Sequence, residues 1–254
     1  MLHGVLASEA TNRSLLNRPD FVPHREKIAV DMRNHGRSPH VELRDQMTYD
    51  DMAADLLHMF QARGLEKVCL IGHSMGGKVA MHLALSHPQL VSELVVVDIA
   101  PVRYTPSNNP ADPLNVTRAM LQVDLETANT RENVDQQLLK HGITSEPVRQ
   151  FAMTNLAIDR GQQTAANYRW KANINAIEQS LPNIMSFPDQ QGRQFDGPTC
   201  VIRGGKSNYV PFQSMRAFTA LFPKTKLVTI SEGGHWLQSQ MPDQFSKAVN
   251  DFLQ

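Results

Sequence analysis

The sequence predicts an α/β protein with a mostly parallel sheet that is covered by helices on both faces. Three observations lead to this prediction: short aliphatic runs, helical spacing of apolar residues between them, and a length of 254 residues, which suits one large domain with an insertion. Strands that are buried on both faces consist of nearly unbroken apolar residues. Strands that alternate with helices favour a parallel sheet with right-handed crossovers.

Five aliphatic runs predict the strands of this sheet. Each has the length of a typical strand and is rich in Val, Ile or Leu, with little polar alternation. They span residues 28–31, 68–72, 93–100, 199–205 and 226–231.

Helical patterns lie between several of these runs. The clearest helix is predicted over residues 48–63, where Thr48 and Asp51 form a capping-box pattern and Gly64 follows as a C-terminal stop. A second helix is predicted over residues 74–86, and a last one lies close to the C-terminal end, where apolar residues recur at helical spacing.

Residues 102–196 interrupt the alternation of strands and helices. This stretch is polar, prone to form helices and rich in Asn and Gln, and it has no strong strand pattern. We predict that it forms a helical lid between two parts of the core, residues 1–101 and 197–254. Some of its large apolar side chains are expected to line a substrate pocket. The candidates are Phe151, Met153 and Trp170, although for any single one of them we favour the alternative that it packs the lid against the core.

Composition excludes several functional classes. Lys plus Arg equals Asp plus Glu at 25 each, so no basic excess indicates a nucleic-acid partner. The longest apolar runs, such as 94–97, are too short to span a bilayer. Cys69 and Cys200 lie in strand-like runs and are interpreted as buried thiols, and no metal-ligand spacing or signal peptide is visible. We therefore expect no metal and no cofactor, and the sequence gives no indication of the oligomeric state.

The strongest motif is Gly72-His73-Ser74-Met75-Gly76-Gly77, a G-x-S-x-G pattern between a predicted strand and a predicted helix. The turn between such elements is so tight that bulky neighbours would collide, which explains Gly72 and Gly76. Ser74 then projects its hydroxyl beside a helix N-terminus, as a nucleophile requires. His73 lies in the same turn and is predicted to support or line the substrate pocket.

A serine hydroxyl becomes a useful nucleophile when a base takes its proton. In chains with this motif the acid follows the serine, and the histidine comes last. His235 fits this order because it follows the last predicted strand in Gly233-Gly234-His235-Trp236. The two glycines allow the loop to turn the imidazole back towards Ser74.

In this kind of fold the acid that orients the histidine usually follows the strand before the last one, which here spans residues 199–205. The residues after that strand, Lys206-Ser207-Asn208-Tyr209, contain no carboxylate. Asp98 is the best alternative because it ends the strand that follows the nucleophile's strand, and catalytic groups gather at the carboxyl ends of parallel strands. Asp189 and Asp196 are weaker candidates because they precede the strand over residues 199–205.

Two backbone N–H groups are candidates to stabilise a developing oxyanion. One belongs to Met75, the residue after the nucleophile, and the other to Val5 in His3-Gly4-Val5. Another conspicuous segment, residues 31–38, follows the first predicted strand. An anion site is one interpretation of it, but we favour a hydrogen-bonded loop that braces the active-site face.

Together these motifs resemble those of the α/β-hydrolase-domain-containing protein eleven group, which includes mitochondrial members, bacterial short-acyl esterases and yeast ethanol acetyltransferases. The resemblance covers nearly the whole chain. It is carried by HG, DMRNHGRSP, GHSMGGKVAMHLAL, VVVDIAPV, the GG-x-S loop and GGHW. It implies an α/β-hydrolase fold, Ser74 as nucleophile, Asp98 as acid and His235 as base. It also implies Val5 and Met75 as oxyanion donors.

Three further expectations follow from this resemblance. Some members of the group place the acid in a run of the lid, but the matching run, Asn173-Ile174-Asn175-Ala176-Ile177, has Asn175 there, which favours Asp98. The group also implies a mitochondrial location, with the cytoplasm as the alternative. Members have strands before the His-Gly loop, whereas this chain begins with Met1-Leu2, so these strands are expected to be missing. The sequence would then be a fragment, or another element would fill the gap.

Three functions fit these residues. The first is hydrolysis of carboxylic esters or thioesters of small to medium acyl groups through an acyl-enzyme. The second is transfer of the acyl group from the same acyl-enzyme to an alcohol. The third is an inactive hydrolase scaffold that binds a partner protein. The intact Ser74, Asp98 and His235 argue against the third function, and the missing N-terminal strands argue for it.

Overall fold

Four parallel strands form the centre of the fold. A computed structural model of the chain describes residues 1–41, 47–107, 109, 111–158 and 168–254. The strands are β1 (Val68–His73), β2 (Val91–Val97), β5 (Thr199–Gly204) and β6 (Thr225–Ile230), and their order in the sheet is β1-β2-β5-β6. The predicted α/β fold with a mostly parallel sheet is therefore confirmed, and four of the five predicted strands are present, with ends shifted by at most three residues.

The two faces of the sheet bury separate hydrophobic clusters. In β2, Leu94 and Val96 belong to one cluster, whereas Val95 and Val97 belong to the other. This alternation arises because successive side chains of a strand point to opposite faces. Every one of these four side chains is fully buried, which explains why the strand lacks polar alternation in the sequence.

Helices cover both faces. The first face carries α2 (Tyr49–Ala62), α3 (Met75–Ser86) and α8 (Met215–Leu221), and the second carries α1 (Arg13–Leu16), α9 (Leu237–Gln240) and α10 (Pro242–Leu253). The predicted capping box of α2 is present, because the Thr48 hydroxyl accepts from the Asp51 N–H and the Asp51 carboxylate accepts from the Thr48 N–H. Short 3-10 helices span Glu9–Asn12, Pro88–Leu90 and Phe212–Ser214.

The segment between β2 and β5 is mainly helical but also contains a small antiparallel ladder. Its helices are α4 (Pro113–Leu121), α5 (Arg131–Lys140), α6 (Glu146–Met153) and α7 (Ile174–Ile184). The ladder pairs β3 (Leu156–Ile158) with β4 (Tyr168–Trp170). The segment predicted to be helical therefore also contains two short strands that the sequence did not indicate. Strands of three residues give too short a pattern for the sequence to reveal.

The prediction of a strand over residues 28–31 is wrong, because Val30 forms an isolated parallel bridge with Leu2 and, among the described residues, no longer ladder of pairs. Leu2 in turn bridges Gly72 of β1 and lies between these two segments. The Met1 ammonium group donates to the Ile28 carbonyl at 2.5 Å, and burial lowers its pKa to about 6. A cavity of about 430 Å³ lies beside these residues.

Among the helices of the described ranges, none combines the length and the apolarity that are needed to cross a bilayer.

Candidate active site

Ser74 lies at the tight turn between β1 and α3. Its backbone has φ 52° and ψ −120°, a strained conformation for a residue with a side chain. A Cβ atom on Gly72 would lie 2.3 Å from the Gly76 carbonyl oxygen, and one on Gly76 would lie 2.6 Å from the His3 carbonyl oxygen. Both glycines are therefore required by close backbone approach, as the motif predicted.

Asp98 and His235 meet beside this turn. The Asp98 side chain is fully buried just after β2, and its Oδ2 lies 2.7 Å from Nδ1 of His235. Since a carboxylate accepts hydrogen bonds, this contact places the proton of the neutral imidazole on Nδ1. Nε2 is then left as the nitrogen that can accept a proton.

Two further donors hold the Asp98 carboxylate. The Gly204 N–H donates to Oδ1 at 2.9 Å, and the Ser207 hydroxyl donates to Oδ2. The loop after β5 thus supplies a hydrogen-bond donor at the place where the sequence lacks a carboxylate. Asp98 itself has a positive φ of 49°, so its backbone is also strained.

Two aromatic side chains flank His235. The Tyr209 ring stacks on the imidazole with centroids 4.0 Å apart and an angle of 24° between the planes. His73 lies on another side, where its Nε2 donates to the His235 carbonyl at 2.8 Å. Burial holds the pKa of His73 well below its usual value, so this ring is neutral. Sequence reasoning missed Tyr209 and Ser207 because it searched the loop after β5 for carboxylates alone.

The backbone N–H groups of Val5 and Met75 are available to a ligand. Among the described residues, neither has a hydrogen-bond acceptor. Val5, Met75 and Ser74 line a small common cavity of about 20 Å³. Both donors therefore lie at a cavity that Ser74 also lines, and an oxyanion needs hydrogen-bond donors at such a place.

Two buried histidines fix the Val5 loop. Nε2 of His35 accepts from the Leu6 N–H at 3.1 Å, and Nε2 of His3 accepts from the Met32 N–H at 2.9 Å. Burial lowers the pKa of His3 to about 4 and that of His35 to about 3. Both rings are therefore neutral near pH 7, which their acceptor role requires.

The segment over 31–38 braces this loop and its surroundings. The Asp31 carboxylate accepts from the N–H of Glu9 at 2.7 Å and from that of Arg37 at 3.0 Å. A Cβ atom on Gly36, at φ 57°, would lie 2.2 Å from Cγ of Asp31. These contacts agree with the interpretation of a hydrogen-bonded brace.

A cavity of about 400 Å³ opens over Ser74 and His235. Of the predicted substrate-binding residues, His73 and Phe151 line it, and the Phe151 ring lies 5.0 Å from that of Trp236. The other two, Met153 and Trp170, are not among the described residues that line this cavity. Met153 is buried in the core, and Trp170 packs against the core and donates to the Met120 carbonyl at 3.2 Å.

The functional groups at this site are of the kinds used in nucleophilic catalysis. The Ser74 hydroxyl and the His235 imidazole line one cavity, the buried Asp98 carboxylate contacts that imidazole, and Val5 and Met75 line a small cavity together with Ser74. These are the group types that acyl transfer uses. Within the described ranges, no group of three or more His, Cys, Asp and Glu side chains could hold a metal ion.

Comparisons with known proteins identify similar chains. A family model described as alpha/beta hydrolase fold matches residues 1–242. A Mus musculus relative named sn-1-specific diacylglycerol lipase ABHD11 is 36% identical over 253 residues, covering 99% of this chain and 79% of the relative. A Saccharomyces cerevisiae relative named probable alcohol acetyltransferase is 29% identical over 266 residues, covering 100% of this chain and 76% of the relative. A solved marine microorganism esterase is 35% identical with a TM-score of 0.90, covering 99% of this chain and 93% of that one.

Proposed function

Because this chain belongs to the α/β-hydrolase family and is a serine hydrolase of that type, we propose that it cleaves carboxylic esters or thioesters of small to medium acyl groups through Ser74, Asp98 and His235. The observation that carries the proposal is the 2.7 Å contact between Asp98 and His235, with His235 lining the same cavity as Ser74. The named ester-cleaving relatives support the substrate class.

The first half of the reaction forms an acyl-enzyme. Nε2 of His235 takes the proton of the Ser74 hydroxyl as its oxygen attacks the carbonyl carbon of the substrate. The carbonyl oxygen becomes an oxyanion and accepts from the N–H groups of Val5 and Met75. The protonated His235 then gives its proton to the departing alkoxide or thiolate, while Asp98 stabilises the imidazolium through Nδ1–H.

Water completes the reaction by the same steps. His235 takes a proton from water, and the resulting hydroxide attacks the carbonyl of the Ser74 ester. The oxyanion forms again beside Val5 and Met75, and collapse returns the proton to Ser74 and releases the carboxylic acid.

Labelling and turnover test this proposal together. A fluorophosphonate probe should label the wild-type protein but not Ser74→Ala, and Ser74→Ala should lower turnover of p-nitrophenyl acetate by several orders of magnitude without changing the melting temperature. Ser231→Ala, at an exposed serine, is the matched control and should keep both labelling and turnover. Retention of more than about a tenth of the activity in Ser74→Ala would contradict the assignment.

Acyl transfer to an alcohol is the second candidate, because one relative is named an alcohol acetyltransferase. In that reaction an alcohol takes the place of water at the Ser74 ester. Gas chromatography of the products formed with ethanol present separates the two functions, since transfer gives an ethyl ester and hydrolysis gives the free acid. The third candidate, an inactive scaffold, predicts that no fluorophosphonate labelling occurs.

Other expectations from the sequence stay predictions. These are the mitochondrial location implied by the resemblance, the three segments over 1–101, 102–196 and 197–254, and the expected lack of a nucleic-acid partner or cofactor.

A further inference from the structure

Lys78 is a buried lysine that the proposed mechanism does not use. It lies one turn after Ser74 in α3 and is 1% exposed. Its Nζ donates to the carbonyls of Met185 at 3.1 Å and Ser186 at 2.6 Å. Burial lowers its pKa to about 7, and among the described residues no carboxylate forms an ion pair with it. Both protonation states have enough N–H donors for the two carbonyls.

Burial of a lysine is unfavourable unless its polar atoms are satisfied, and an apolar side chain of similar length would fill the site at lower cost. Its hydrogen-bond partners therefore indicate what Lys78 does. Met185 and Ser186 directly follow α7, whose last residue is Ile184. The final carbonyls of a helix lack partners within the helix and carry its negative end, so an ammonium group is a well-matched partner. Lys78 thus connects the end of α7 to α3, the helix that directly follows Ser74.

Tyr104 contacts both Lys78 and Met185. Its ring centroid lies 4.7 Å from Nζ of Lys78, and its N–H donates to the Met185 carbonyl at 2.8 Å. Its hydroxyl donates to the Tyr209 carbonyl at 2.6 Å and accepts from the Ala100 N–H at 2.8 Å. The contact therefore connects α3 and α7 with the loop whose Tyr209 ring stacks on the proposed base.

Tyr104 and Met185 line two cavities. The small cavity of about 20 Å³ contains Ser74 and the two proposed oxyanion donors, and Lys78, Tyr104 and Met185 are part of its wall. The outer cavity, of about 450 Å³, is also lined by Tyr104 and Met185. Its remaining wall is of mixed character, with the apolar residues Leu114, Leu181 and Pro182 beside two arginines, Arg103 and Arg118, and two carboxylates, Asp112 and Glu178. Tyr104 and Met185 thus form a partition between the nucleophile and a partly apolar space.

We propose that Lys78 is a positioning residue that limits the length of the acyl group by holding Tyr104 and Met185 as the partition between these two cavities. The inference rests on the proposed esterase function and adds a substrate limit to it: while the partition is closed, an acyl group beside Ser74 cannot extend into the outer cavity. Without the tether, the end of α7 loses two hydrogen bonds, and Met185 can move away from Ser74. The acyl site then extends into the outer cavity.

Lys78→Met is the sharpest test, because it keeps the length and volume of the stem and removes the donors. The measured quantity is the ratio of kcat/KM for p-nitrophenyl octanoate to that for p-nitrophenyl acetate. We expect this ratio to rise at least about tenfold, since each added methylene group in an apolar site changes discrimination measurably. Lys140→Met, which removes an exposed cation from α5, is the matched control and should leave the ratio unchanged.

Met185→Ala is the second variant and keeps the inference testable if Lys78→Met does not fold. It shortens the partition without touching Lys78, and it should raise the same ratio. A folded, active Lys78→Met with the wild-type ratio would overturn the inference, as would an unchanged ratio in Met185→Ala where Lys78→Met is unfolded. If the wild-type protein turned over no ester of any length and resisted fluorophosphonate, the proposed function would fail and this inference with it.

Discussion

Acid should destabilise this protein through the buried histidines that hold the Val5 loop. His3 and His35 each accept a backbone N–H through Nε2, so protonation would break that hydrogen bond and bury a charge. Their pKa values in the folded state are about 4 and about 3, both below the ordinary value of 6.5. The unfolded chain therefore binds more protons than the folded chain below pH 6.5, and the free energy of unfolding falls as the pH falls through this window.

The size of the effect follows from the distance between pH and the ordinary pKa. At pH 5 the unfolded histidine lies about 1.5 units below its pKa of 6.5 and is protonated, whereas the folded one is still neutral. One unit corresponds to about 1.4 kcal/mol, so each ring lowers the free energy of unfolding by about 2 kcal/mol. The pair lowers it by about 4 kcal/mol, a large share of the 5–15 kcal/mol typical of a folded domain. His73, whose pKa is also lowered by burial, acts in the same direction.

Urea unfolding at pH 8, 7, 6 and 5 measures this effect. His35→Gln keeps an acceptor for the Leu6 N–H but does not titrate, so the difference in unfolding free energy between pH 8 and pH 5 should shrink by about 2 kcal/mol. His58→Gln replaces an exposed histidine of α2 and should leave that difference as it is in the wild type. If His35→Gln showed the full wild-type difference, the buried histidines would not be the cause.

Two further predictions concern catalysis and the lid. Asp98→Asn should keep the fold but favour the wrong tautomer of His235, lowering kcat/KM by up to about 10⁴-fold, whereas Ser207→Ala should cost about tenfold at most; equal losses in the two variants would contradict Asp98 as the acid. Phe151→Ala should shift the acyl-chain preference measured with a p-nitrophenyl ester series, because Phe151 lines the cavity over the proposed nucleophile. Met153→Ala, in the core, should lower the melting temperature and leave that preference unchanged; a shift of similar size in both would show that the cavity wall is not the selector.

Much of the fold could be predicted because its core strands are buried on both faces. A strand such as β2 carries apolar residues at successive positions, and this pattern survives in the sequence without any knowledge of its neighbours. Residues 28–30 are also apolar, but the contact of this segment with Leu2 is a single bridge. Composition records how apolar a run is, whereas strand formation also requires a partner with enough length to pair. The same argument applies in reverse to β3 and β4, which pair but are too short to show a pattern.

Part of the candidate site could likewise be predicted from the sequence, and part could not. Ser74 could be placed because the elbow imposes glycines at fixed spacing, and the structure shows the collisions that these glycines avoid. Tyr209 could not be placed, because its stacking on His235 depends on how two loops from different strands approach each other. Lys78 was missed for the same reason: its partners are backbone carbonyls more than a hundred residues away, and carbonyls leave no mark on the sequence.

The arrangement around Asp98 shows how the acid can lie one strand from its expected place. β1 and β2 are adjacent in the sheet, so a carboxylate just after β2 lies next to the strand that ends at the nucleophile. The end of β5 and the loop after it still reach this carboxylate, but as donors, through the N–H of Gly204 and the hydroxyl of Ser207. Together with His235 these donors fix both carboxylate oxygens and hold the strained backbone of Asp98 in place. In the proposed mechanism, a loop that lacks a carboxylate therefore still orients the base, because it positions the acid that another strand provides.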